Sequence, residues 1–226
     1  HLSIRRQRQM CIRDRIWLES VADVFDAKPD MRAGISQCPI EMNLYHPGPL
    51  VLGRFESAPQ IFERNTRSIA MGGLDHFLIQ LYERGGFAGS AGGADIRVRA
   101  GDICIFDLTR TLETRASAFQ NVTLIVPRSL LGSLVDDVDA LSGIVQSGDE
   151  PLTCMLANHM RTLHGEMPRM APDEADAAAR ASVALIAVAA QRHACFGTTG
   201  SKPLVSRFRA VVTHIDANLH EVSLCP

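Results

Sequence analysis

No apolar run in this 226-residue chain approaches the roughly 18 residues of a membrane span. The longest candidate, Ala181 to Ala190 with Ser182 inside it, is about half that length and reads as a buried helix. The amino-terminal segment has arginines but no long apolar stretch, so nothing in it resembles a secretory signal, and a cytoplasmic protein away from membranes is expected. Lysine is nearly missing: of 23 basic residues only Lys28 and Lys202 are lysine. Residues 1–15 hold five Arg and one Asp, a balance of +4, so with a net charge of −2 the remainder carries −6. A mildly acidic body does not attract a phosphate backbone, which argues against nucleic-acid binding by residues 16–226.

Chemical motifs are scarce as well. The six cysteines (11, 38, 104, 154, 195 and 225) are too far apart for a metal knuckle or a redox pair. Disulfides would suit the even count, but scattered reduced thiols fit a cytoplasmic chain better. There is no nucleophile elbow, HExxH, phosphate-loop lysine, dinucleotide fingerprint or EF-hand loop. The β-type region offers only His46 and His76, thirty positions apart, with no carboxylate at ligand spacing. A catalytic metal usually needs about three converging protein ligands, so neither a metal nor another cofactor is expected. His159 and His164 lie five apart on a helix, about 140° round its axis, and read as surface histidines that do not face one ligand.

What remains is a clear order of textures. Residues 17–25 read as a short helix or lead-in, followed by an irregular stretch through Pro49. Seven β-type runs then fall within 77 positions: Leu50–Phe55, Gln60–Ala70, Leu74–Glu83, Ala94–Arg99, Ile103–Leu108, Leu112–Ala116 and Gln120–Val126. That is the spacing of an antiparallel sandwich or barrel. The glycine-rich nonamer from Gly85 to Gly93 lacks the Lys-Ser/Thr ending of a phosphate loop and reads as a flexible hairpin loop. After Pro127 the apolar period changes to that of helices, at Arg128–Val135, Pro151–His164 and Pro172–His193. The last is apolar nearly all round its middle and needs cover on more than one side. Residues 197–202 form a linker, and Leu204, Phe208, Val211, Ile215 and Leu219 then make one helical stripe.

The run Leu74–Glu83 has two faces. Asp75, Phe77, Ile79 and Leu81 look like packing core; His76, Leu78, Gln80 and Tyr82 mix one apolar with three hydrogen-bonding side chains. The second face suits a small-molecule pocket with His76, Gln80 and Tyr82 as ligand-binding residues, or else a half-solvated sheet surface.

The segment Met10-Cys11-Ile12-Arg13-Asp14-Arg15 resembles the translation of a sequencing-library transposon adapter, so residues 1–15 are expected to be foreign, the alternative being a genuine basic arm. Beyond it, the order of Tyr82-Glu83-Arg84-Gly85-Gly86, Ile96 to Asp107 and Val122 to Leu131 resembles the amino-terminal sensor domain of AraC/XylS-type transcription regulators. Leu141-Ser142-Gly143-Ile144, Leu156 to Leu163, and Phe208 to Leu219 with Glu221-Val222-Ser223-Leu224 fit the same pattern.

The resemblance implies an α+β chain. A cupin-like antiparallel β-barrel sensor would occupy 16–127, a helical dimerisation segment 128–196, a linker 197–202, and the truncated start of a helix-turn-helix domain 203–226. It implies a small-molecule effector and a homodimer, with promoter DNA bound only through a carboxy-terminal domain whose recognition helices are not in this sequence. The long helix could supply the dimer contact or simply cover its own barrel. The competing reading is a cupin-type metal-dependent enzyme, an isomerase or dioxygenase, with a helical appendage; the lack of a histidine cluster favours the sensor.

Overall fold

The computed structural model describes residues 24–30 and 41–196. Residues 1–15, nearly all of the expected lead-in at 17–25, the linker at 197–202 and the amphipathic stretch at 203–226 lie outside the described residues.

Among the described residues, eleven strands pair antiparallel throughout and form two sheets. The five-stranded sheet runs β1 (Asp26–Pro29), β4 (Gln60–Arg64), β9 (Leu112–Ala116), β6 (Phe87–Ala91) and β7 (Ala94–Val98). The six-stranded sheet runs β11 (Ile144–Gln146), β8 (Ile103–Asp107), β5 (His76–Arg84), β10 (Phe119–Pro127), β3 (Val51–Ser57) and β2 (Glu41–Tyr45). The α-helices among the described residues are α1 (Thr66–Gly72), α2 (Arg128–Gly132), α3 (Pro151–Glu166) and α4 (Pro172–Phe196).

Alternation along the six-stranded sheet creates two cores. On one face Phe77, Ile79 and Leu81 of β5, with Ile103 and Ile105 of β8 and Leu124 of β10, pack against Leu156 and Met160 of α3 and Val183 and Ile186 of α4. On the other face Leu78, Tyr82, Cys104 and Phe106 meet Phe62, Phe87 and Leu112 of the five-stranded sheet. The layers are therefore sheet, sheet, helices, and the middle sheet is buried on both sides.

Charged clamps tie that middle sheet to the helical layer at both ends. Arg128, opening α2, bonds the buried Asp107 of β8 (2.5 Å), Asp75 just before β5 (2.6 Å) and Asp139 (2.9 Å), and stacks on Phe77 with 4.6 Å to the ring centroid. At the other end of β5, Glu83 joins Arg54 of β3 (2.7 Å) and Arg161 of α3 (3.1 Å). Burial pushes the Asp107 carboxyl up, but hydrogen bonds from Arg128 and Thr109 outweigh that and hold it below the usual aspartate range.

Several expectations need correction. The run at 60–70 is a strand only to Arg64: the Asn65 side chain accepts from the Ser68 amide (3.0 Å) and starts α1, which ends at Gly73 with φ 56°. The stretch before Pro49 is not wholly irregular, because β1 and β2 lie in it. The nonamer at 85–93 is not a loop but two turns around the strand β6. Gly92 (φ 57°) and Gly93 (φ 86°) make the turn to β7, while Gly89 lies so close to β9 that a Cβ there would stand 2.0 Å from the Glu113 carbonyl oxygen.

The two helical histidines do point in different directions, but neither is a free surface group. His159 Nε2 lies 2.7 Å from Ser182 Oγ of α4, whose hydroxyl donates to the Ala178 carbonyl, so the imidazole donates to the serine. His164 packs edge-on against Tyr45 of β2, with ring centroids 5.4 Å apart. Burial lowers both pKa values.

The two glycines should separate experimentally. Gly93→Ala meets no atom within 4 Å and bears only the left-handed backbone cost, about 1 kcal/mol, whereas Gly89→Ala collides with backbone across the β6–β9 pair. Thermal melts should show a loss of a few degrees for Gly93→Ala and a substantially larger one for Gly89→Ala.

Candidate functional site

Between the two sheets lies a cavity of about 160 Å³. Six phenylalanines face it (Phe25, Phe55, Phe62, Phe87, Phe106 and Phe119) out of nine in the chain. Ring pairs within this wall, Tyr82 with Phe87 at 5.2 Å, Phe87 with Phe106 at 5.7 Å and Phe62 with Phe119 at 5.9 Å, stand tilted or edge-to-face. They come from both sheets, so the tertiary fold and not any local segment assembles the wall.

Polar groups are few and grouped. The register of β5 against β10 sets Gln80 opposite Thr123 and Tyr82 opposite Asn121, and all four side chains line the cavity. Three of them form a chain of hydrogen bonds: Gln80 Nε2 donates to Thr123 Oγ1 (3.3 Å) and Thr123 Oγ1 donates to Asn121 Oδ1 (3.2 Å), with Asn121 standing beside Tyr82 across the strand pair. Thr114 of β9 adds a hydroxyl from the opposite sheet. Among the described residues, none that lines the cavity is Asp, Glu, Lys, Arg or His.

In this apolar setting the neutral forms are favoured. Burial pushes the Tyr82 phenol far above its usual range, the neighbouring Cys104 adding to the effect and Asn121 opposing it. Burial likewise pushes up the Cys104 thiol, whose Sγ sits 3.7 Å from the Gln80 carbonyl oxygen.

The structure brings two of the three sequence-nominated residues, Gln80 and Tyr82, to the cavity and does not bring the third. His76 is the first residue of β5, pairs with Pro127 and is absent from the lining, its carbonyl accepting from the Leu108 amide (3.0 Å). The cavity is reached only from Leu78 onward. Sequence reasoning passed over Asn121 and Thr123. Their signal was there: two polar side chains at period 2 inside the apolar run Phe119–Pro127. Among the described residues, no group of three His, Cys, Asp or Glu side chains is placed to hold a metal ion, and no helix is long and apolar enough to cross a membrane.

Residues 17–190 match the family model of the AraC-binding-like domain. The chain belongs to this family. Its fold is cupin-like and α+β, with antiparallel sheets followed by helices. Among solved structures it is similar to the AraC-like transcriptional activator CuxR, at 18% identity and a TM-score of 0.72, covering 94% of this chain and 76% of that one. This match shows the shared fold. KdgF from Halomonas sp. (15% identity, TM-score 0.30, 39% of this chain and 78% of that one) and an RmlC-like cupin protein from Desulfovibrio desulfuricans (19%, 0.30, 39% and 82%) align with a smaller part. A comparison with curated proteins gave no match. The AraC-binding-like assignment covers both the sheets and the helical layer, so the cavity and the helices behind it belong to one family unit.

A raised phenol pKa stabilises the fold up to the ordinary tyrosine pKa, about 10, and is lost as pH rises beyond it. Tyr82 should therefore form phenolate only together with unfolding, read by near-ultraviolet absorbance beside circular dichroism. Tyr82→Phe should lose about 1 kcal/mol at neutral pH and show a shallower alkaline loss of stability.

Proposed function

We propose that this chain is the effector-sensing and dimerisation region of an AraC-type transcription regulator. In this reading the sheets bind a small molecule between them, the helical layer pairs two copies, and promoter DNA is engaged by helix-turn-helix units that follow residue 203. Membership of the AraC-binding-like family supports the regulator class.

One observation carries the mechanism: the strands that supply the cavity's polar groups also supply the floor of the helical core. On β5, Gln80 and Tyr82 face the cavity while Ile79 and Leu81 face α3 and α4. On β10, Asn121 and Thr123 alternate in the same way with Val122 and Leu124. A ligand that prefers one spacing of these strands therefore biases the packing of the helices behind them, which is all that a two-state signal requires. The Arg128 and Glu83 clamps tie the sheet to the helices at both ends of β5.

The helical layer also offers a pairing surface. The inward side of α4 is buried, but Ala177, Ala181, Ala184 and Val188 recur at helical spacing on its outer side and are exposed, Val188 to 52%. Leu134, exposed to 46%, joins them through its carbonyl, which accepts from Gln191 of α4 (2.7 Å). Small apolar side chains of this kind let two helices approach closely. This face supports the dimer reading of the long helix over the reading in which α4 covers only its own sheet.

Light scattering on the purified chain tests the arrangement. A dimer is expected, and Ala184→Glu should convert it to monomer while changing the monomer's stability by less than about 0.5 kcal/mol, since the position is exposed. A wild-type monomer at tens of micromolar, or an unaffected dimer in the variant, would reject α4 as the contact.

A further inference from the structure

Resting on the reading of the cavity as the effector site, we propose that its ligand is an uncharged compound with a single aromatic ring and one hydroxyl or comparable donor. Three observations combine. The volume, about 160 Å³, is that of a cavity known to hold one benzene-sized ring, and too small for a fused or two-ring ligand without expansion. The enclosing rings stand at 43–65° to one another and present both edges and faces, the geometry in which a guest ring finds offset and edge-to-face partners.

The third observation is the polar inventory. Among the described residues the lining holds no cation that could meet a carboxylate or phosphate, and no anion that could meet an amine. Two hydrogen bonds link Gln80, Thr123 and Asn121, and among the described residues no donor is hydrogen-bonded to the Gln80 amide oxygen, which lines the cavity. One ligand O–H or N–H satisfies it. A monosaccharide would bury several hydroxyls against phenylalanine with too few partners, each at a cost. An aromatic acid with a pKa of about 4 would have to enter protonated, which at pH 7 lowers its apparent affinity roughly 1000-fold.

The test is calorimetric titration of the 226-residue chain at pH 7 with phenol, benzyl alcohol, toluene, benzoate and glucose. Phenol or benzyl alcohol should bind, toluene more weakly, and benzoate and glucose undetectably. Gln80→Leu and Thr123→Val should weaken phenol about tenfold, the loss of a hydrogen bond, while leaving toluene within about twofold. The toluene arm also certifies that each variant keeps its fold and cavity. Benzoate or glucose binding as tightly as phenol overturns the class proposed here and leaves the sensor reading standing. Binding of phenol that survives both substitutions overturns the role of the polar chain. If none of the five compounds binds, both the ligand class and the use of this cavity as the effector site are overturned.

Discussion

The structure depends on one sheet being buried on both faces. In an ordinary antiparallel sheet one side meets water, and the sequence alternates plainly between apolar and polar. Here β5, β8 and β10 must satisfy a helical core on one side and an aromatic box on the other, so apolar residues predominate on both of their faces. The few polar exceptions then carry unusual weight. Slipping β10 by one residue would turn Asn121 and Thr123 into the helical core and aim Val122 and Leu124 at the cavity. Register and site are thus fixed by the same packing.

Electrostatics plays its part at the ends of that sheet and not in its middle. Asp107 is almost fully buried and would be costly alone; Arg128 meets it, and the same guanidinium reaches Asp75 and Asp139. Such pairs add little net stability compared with apolar packing, but they demand one geometry. Because Arg128 begins the helical layer and Asp107 ends β8, the pair sets how the layer docks. Among the described residues the lining of the cavity between the clamps carries no charge, and the neutral forms of Tyr82 and Cys104 follow from their burial.

Family and chain contribute different things. The AraC-binding-like fold supplies the layers, the cavity and the helices that cover the middle sheet. The particular side chains set the chemistry of the cavity wall, and at 18% identity to the regulator with the shared fold they must be read from this chain alone. Its phenylalanine-rich wall and short polar chain make a chemically narrow site.

The sequence by itself determined the order of elements: short strands first, helices after Pro127, and the positions of α3 and α4 nearly to their ends. It did so because hydrophobic period and proline or glycine punctuation are local signals. It also separated the two faces of β5, putting Gln80 and Tyr82 on the face that lines the cavity. Local signals failed where a neighbour overrides them. Nothing near residues 85–93 announces that Gly89 is a strand residue pressed against Glu113, and nothing near His76 says that the cavity begins two residues later. The pairing of Gln80 with Thr123 and Tyr82 with Asn121, about forty residues apart, was decided by tertiary structure alone, since only strand register brings such distant side chains within hydrogen-bond reach.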